Sequence, residues 1–273
     1  MASAKDIIVK PITAQAASAV VKRIHYSEKA AINATLNFGV FFEEKLEGVM
    51  QFGPSLQKSN IQPLVKDTGW NGFIELNRMA FSDRLPRNSE SRALSIAFLL
   101  IRKHYPHIDW VISFADGTRC GDGTIYRASG FKLTGIKPNS TMWQMPDGFV
   151  FADIGLRASS SMLRQKVGYK LGENFKKFAE RVGARKVAGF QLRYIYFLNP
   201  AARERLTVPV LPFSKISDMG ASMYKGEKIT RVKQAMTGDQ PEQRRRDTDP
   251  PAPIYAENQP FAEVTHEKQE TSH

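Results

Sequence analysis

Cysteine is almost missing from this sequence: Cys120 is the only one in 273 residues. One thiol cannot close an internal disulfide or supply the paired cysteines of a structural zinc site, so both are excluded and a reducing, cytoplasmic compartment is expected. No run of 18 apolar residues occurs, which leaves no candidate membrane-spanning helix and no membrane partner. The first residues, MASAKDIIVKPITAQAASAVVKRIHYS, lack the continuous apolar stretch of a secretory signal. Histidine is scarce, with five, and no internal repeat is visible. Acidic residues are in deficit, 27 Asp and Glu against 39 Lys and Arg, for a net charge of +12.

A surplus of that size points to nucleic acid, an anionic membrane surface or acidic ligands. Its position narrows the choice. From Arg157 to Arg205 the chain carries 12 Lys and Arg against 3 Glu and no Asp. Most of the excess therefore lies in one stretch, as an electrostatic footprint would, rather than spread as solubilising charge. Within it Lys176, Lys177, Arg185, Lys186, Arg193, Tyr194 and Tyr196 are candidates for phosphate contact and base stacking.

With 42% apolar residues the chain can bury a core, and residues 1–155 read as one compact α/β unit. A short strand over 6–10 precedes a helix over 13–28, with Ala17, Val20, Val21 and Ile24 on one side. Two apolar runs, 38–42 and 46–52, flank Glu43-Glu44-Lys45 and predict a hairpin with a three-residue connection. A strand over 73–81 leads through SDRLPRNSES into a helix capped by Asn88 or Ser89 and stopped by Pro106. The run WVISF is a buried-type strand, followed by a glycine-rich loop, a short helix over 124–129 and a returning strand from Phe131. The strict alternation of the later elements makes part of the sheet parallel. Residues 156–215 read as a basic, aromatic-rich extension, and 216–273 as a polar, mobile tail.

Four constellations could carry chemistry. Asp116 stands two residues past WVISF, where α/β proteins bind ligands, and Tyr126 opens the next helix. The bland alternative is that Asp116 caps that helix and Tyr126 is core. Arg78 interrupts the apolar strand IELNRMAF, which requires either a ligand or a partner such as Glu75. Arg87, Ser89, Ser91 and Arg92 surround a helix start and could hold a phosphate or carboxylate, beyond what plain capping explains. His25-Tyr26 ends the first helix, as a site pair or as structure. Should His25, Tyr26 and Asp116 converge, their imidazole, phenolate and carboxylate would suit iron better than zinc.

The order of Arg78, RNSESR, SFAD and GTIYRASGF is similar to the layout of Gcn5-related N-acetyltransferases: strand, phosphate-binding loop, long helix, strand and short helix. Their glycine-rich pyrophosphate loop is absent, and DRLPRNSES stands in its place. A narrower resemblance, over residues 5 to about 215, is to the Mom-type bacteriophage DNA modification proteins. It is carried by KRIHY, FGV…EGVMQFG, ELNRM, RNSESRALS, SFADG, GTIYRASGF and RYIYFLNPAARERLTVPVLPF.

That resemblance implies an acetyltransferase-like α/β (α+β) fold, a mixed sheet flanked by helices. It implies an enzyme of the host bacterial cytoplasm that converts adenine in double-stranded DNA to a carbamoylmethyl derivative and so protects phage DNA from restriction. His25, Arg78, Ser91, Asp116 and Tyr126 would be its functional residues, with iron near His25, Tyr26 and Asp116. The donor, acetyl-CoA or another, would lie against Arg87, Ser89 and Arg92. Oligomeric state is left open, a homodimer included. Two other readings stand beside it: a coenzyme A-dependent N-acyltransferase acting on a small amine or protein, and a non-enzymatic DNA-binding protein.

Overall fold

The computed structural model describes residues 2–25, 30–117, 123–157 and 162–220, with two short strands beyond. In chain order the strands are β1 (Ile8–Pro11), β2 (Leu36–Phe42), β3 (Lys45–Gly53), β4 (Phe73–Phe81), β5 (Trp110–Asp116), β6 (Lys132–Asn139), β7 (Met142–Gln144), β8 (Val150–Ala152), β9 (Arg185–Lys186) and β10 (Gly189–Phe197). The helices are α1 (Ala14–Ile24), α2 (Lys58–Ile61), α3 (Ser89–His104), α4 (Thr124–Ala128), α5 (Met162–Val167), α6 (Phe175–Val182) and α7 (Ser214–Asp218).

Seven strands form one mixed sheet in the order β1-β2-β3-β4-β5-β10-β6. Only β4 and β5 run parallel; every other neighbouring pair is antiparallel. The β2–β3 turn is one residue tighter than the three-residue connection expected. Lys45 pairs with Phe42, leaving Glu43 and Glu44 at φ 48° and 62°. Positive φ at both central residues is what a hairpin turn matched to strand twist demands, here met without glycine.

Helices cover both faces because the strands are apolar on both sides. On one face Leu94, Ala97, Phe98 and Ile101 of α3 and Phe131 after α4 pack against Ile74, Leu76, Val111, Ala115, Leu192 and Tyr194. On the other, Ala17, Val20 and Val21 of α1 lie on Val49 and Ala80, while Ile61, Leu64, Val65 and Ala202 cover Phe73, Trp110, Ile112 and Ile195. Trp110 is fully buried, stacks on Phe73 with ring centres 4.5 Å apart, and donates its indole N–H to Thr68 Oγ1 at 3.0 Å.

The division at residue 155 is not what the chain does. β10, expected in a C-terminal extension, lies inside the sheet between β5 and β6. Tyr194 paired with Ser113 and Leu133 completes the core that the first 155 residues leave open. Residues beyond 200 pack as well: Leu211 N–H bonds Leu133 O at 2.8 Å, and Ile216 is fully buried. The packed chain therefore continues past the boundary at 216 expected for a mobile tail, and residues 221–273 lie largely outside the described residues.

Between β6 and β10 sits an insertion, residues 140–188, that sequence reading did not separate from its surroundings. It has its own three-stranded sheet, ordered β8-β7-β9, and its own core of Phe151, Leu156, Val167 and Phe178.

Candidate active site

The centre of the sheet contains an opening built by one extra residue. β4 and β5 pair from Phe73–Trp110 to Leu76–Ser113 and then stop. Beyond that point each keeps its outer neighbour, β4 on β3 to Phe81–Gly48 and β5 on β10 to Asp116–Gln191. A wedge opens between Asn77–Phe81 and Phe114–Asp116.

Asn77 is the extra residue: Gln51 faces Arg78 and Phe52 faces Leu76, so Asn77 has no counterpart on β3. Such a bulge re-aims the side chains after it. Ile74 and Leu76 point to the α3 face before the bulge, whereas Ala80 points to α1 after it. Arg78, two residues from Ala80, is thereby turned onto the α1 face. Its Nη1 bonds Asn77 O at 2.7 Å rather than pairing across to Glu75.

His25 ends α1 as its C-cap residue, with its N–H on Val21 O at 2.9 Å. Its imidazole pKa is pushed down from 6.5 to about 4, first by burial and then by the positive charge of Arg78. His25 and Arg78 are thus neighbours, and the imidazole is neutral at physiological pH. Asp116 lies at the end of β5, on the same face as Trp110 and Ile112 by strand alternation. His25, Arg78 and Asp116 therefore share the α1 side of the wedge.

Tyr126 stands on the opposite face. Its ring stacks on Tyr194, with centres 4.5 Å apart and planes within 7°, and meets Phe131 edge-on at 5.2 Å. Its hydroxyl lies 3.0 Å from Ser113 Oγ, which also lies 3.2 Å from Leu76 O. Ser113 and Leu76 form the last β4–β5 pair, so the phenol is pinned at the apex of the wedge. Ser113, 1% exposed, was missed in the sequence, although a serine inside the buried run WVISF was the available signal. Asn77 carried no comparable signal.

The α3 start corrects two expectations. Asn88 is the N-cap residue of α3, its carbonyl accepting Arg92 N–H, but it adopts φ 69°, ψ 11° and its side chain makes no capping bond. Ser89 is fully buried and donates its hydroxyl to Pro86 O at 2.6 Å, so that side chain is spent internally and offers nothing to a donor molecule. Ser89 N–H bonds Pro86 O and Arg92 N–H bonds Asn88 O, while among the described residues the N–H groups of Glu90 and Ser91 find no acceptor. Arg87 and Arg92 are exposed beside them, and half-buried Ser91 donates to Asn88 O at 3.1 Å. The Glu90 carboxylate in the same turn offsets part of the positive field.

Of the three expected iron ligands, His25 and Asp116 lie on the same side of the wedge. Tyr26 lies outside the described residues, as do 118–122 of the loop after Asp116. Among the described residues no three or more His, Cys, Asp and Glu side chains converge. The charge next to His25 is a guanidinium, which repels a metal cation.

Of the expected DNA contacts, Lys176, Lys177, Arg185 and Lys186 are exposed on the insertion. Tyr194 is not available: it is fully buried under Tyr126 and Phe213 and can stack on no base. Tyr196 is likewise engaged, stacked on Phe98 at 4.2 Å. Arg193 is half-buried, with Nη2 on Thr134 O at 2.7 Å and Nε on Thr134 Oγ1 at 3.1 Å, so it braces the sheet instead of reaching a phosphate. Aromatic richness in RYIYFL marks core rather than surface. Among the described residues no helix is long and apolar enough to cross a membrane.

Known proteins resemble the chain in fold and in sequence. The solved structures it resembles include the ribosomal-protein-S18-alanine N-acetyltransferase from Escherichia coli, at 12% identity over 70% of this chain and 94% of that one, TM-score 0.40. Arabidopsis thaliana NAA60 in complex with a bisubstrate analogue matches at 11% identity over 70% of this chain and 98% of that one, TM-score 0.43. In sequence, the methylcarbamoylase Mom of Escherichia phage Mu is 38% identical over 215 residues, 77% of this chain and 85% of that protein. The Mom protein family matches residues 6–215. The chain belongs to the Mom protein family.

Proposed function

We propose that this protein is a DNA-modifying transferase that places a carbamoylmethyl group on the exocyclic amine of adenine. The observation that carries the reading is the two-sided wedge: His25, Arg78 and Asp116 on one face, Tyr126 and the α3 start on the other. The naming of the phage Mu relative as a methylcarbamoylase supports the group transferred.

In this reading the adenine enters from the α1 side and the donor from the α3 side. Asp116 accepts the proton of the N6 amine as nitrogen forms its bond to the donor's methylene carbon. The leaving group departs with the bonding electron pair, and the Tyr126 phenol supplies its proton. Neutral His25 accepts a hydrogen bond from the incoming amine or base edge on the α1 side, where Arg78 lies beside it, and Ser91 holds the donor on the α3 side. The free N–H groups of Glu90 and Ser91, with Arg87 and Arg92, favour a donor X–CH2–CONH2 whose leaving group X carries phosphate.

An amine inside a duplex cannot reach such a wedge, so the adenine is unstacked first. The modified base shields phage DNA from restriction. Mass spectrometry of nucleosides from plasmid DNA co-expressed with the protein tests the proposal. A carbamoylmethyl-adenosine peak is expected, and unmodified adenine alongside soluble protein would overturn it.

A further inference from the structure

We infer that the insertion, residues 140–188, is a DNA-backbone clamp built onto the catalytic edge of the sheet; this rests on the reading of DNA as substrate. Position is the first argument. Asp116, Gln191 and Lys137 stand in one row across β5, β10 and β6. The chain leaves for the insertion just after β6 passes that row and returns just before β10 reaches it. The insertion therefore rises from the sheet end that carries Asp116, not from the end that carries Trp110.

Its architecture is the second. The insertion has a core separate from the main one, with Trp143 edge-on to Phe175 and Tyr169 edge-on to Phe178 at 5.0 Å. It can therefore present a fixed surface rather than a floppy loop. α6 buries Phe178 and Ala179 inward and turns Lys176, Lys177 and Glu180 outward.

Charge is the third. Glu173 is consumed by Arg181, bound at 3.0 and 3.1 Å, and lies beside Lys170, while Lys176, Lys177 and Lys186 are exposed with no acidic partner among the described residues. Lys176 and Lys177 occupy the first turn of α6, after the Asn174 cap, where the helix dipole disfavours cations. Helix stability does not account for them. A polyanion passing the wedge does, and the row of duplex phosphates flanking a target adenine has the required charge and extent.

The test is binding of a fluorescent duplex to the full chain across a salt series. For Lys176→Gln/Lys177→Gln the slope of log K against log salt should fall by about one per lysine, with weaker affinity and an unchanged melting temperature. Lys66→Gln/Arg102→Gln, removing two exposed charges at the opposite end of the sheet, should leave the slope unchanged. An unaltered slope in the first pair overturns the inference. An equal drop in both pairs overturns it too, since charge would then act diffusely, as does tighter binding of single-stranded RNA than of duplex. Because binding is read without chemistry, a protein that clamps DNA through these lysines yet leaves adenine unmodified would refute only the proposed function.

Discussion

Replacing Tyr126 with phenylalanine separates chemistry from scaffolding at the apex of the wedge. The ring contacts survive, since stacking on Tyr194 at 4.5 Å and the edge contact with Phe131 need only the aromatic ring. The lost bond to Ser113 is neutral, and Ser113 retains Leu76 O at 3.2 Å, so no serine proton is stranded in the core. A neutral hydrogen bond of this kind is worth about 1 kcal/mol net. Urea unfolding should therefore show a loss within about 1.5 kcal/mol. If the phenol protonates the leaving group, its removal costs roughly 10²–10⁴ in rate, about 3–5 kcal/mol of barrier at 1.36 kcal/mol per decade. Nucleoside mass spectrometry after a fixed expression time reads that loss directly. Modification retained within threefold of wild type, at matched protein level, would refute the role of the hydroxyl. A stability loss well above 2 kcal/mol would refute the claim that the substitution is local.

Three further outcomes are expected. The His25 pKa of about 4 lies below its ordinary 6.5, so between these values the unfolded chain binds the extra proton. The contribution of neutral His25 is complete above pH 6.5 and is lost as pH falls toward 4; His25→Gln should flatten urea stability over that window, and identical pH dependence in both proteins would contradict the burial. A Cβ at Gly123, where φ is 72°, would stand 2.1 Å from Tyr194 Oη and 2.6 Å from its ring, so Gly123→Ala should destabilise by about 2–4 kcal/mol and, by displacing α4 with Tyr126, lower adenine modification as well. Glu44→Gly relieves a left-handed glutamate at φ 62° and should stabilise the hairpin by about 0.5–1 kcal/mol in thermal unfolding.

Sequence alone located most of the pieces. Helical spacing in ALSIAFLLI, the buried strand WVISF and the GTIYRASG turn are local signals, each set by side-chain period or glycine geometry within a dozen residues. The order of ELNRM, RNSESRALS, SFADG and GTIYRASGF was enough to identify the family before any coordinate. The same reading misassigned RYIYFL as surface: its aromatic residues report burial and stacking equally well, and only the neighbours of β10 choose between them.

Lack of cysteine excluded disulfides and Cys-built zinc sites, and excess Lys and Arg between 157 and 205 pointed to a polyanionic or acidic partner, because composition bounds chemistry regardless of how the chain folds. What tertiary structure decided was orientation. One unmatched residue, Asn77, turned Arg78 from the α3 face to the α1 face beside His25. The unpairing of β4 from β5 beyond Leu76 and Ser113 made an opening that no local pattern encodes. The return of β10 between β5 and β6 buried Tyr194 and set the basic insertion on the edge that carries Asp116. Register and strand order are long-range pairings, settled by which faces bury best together, and they place residues that the sequence could only name.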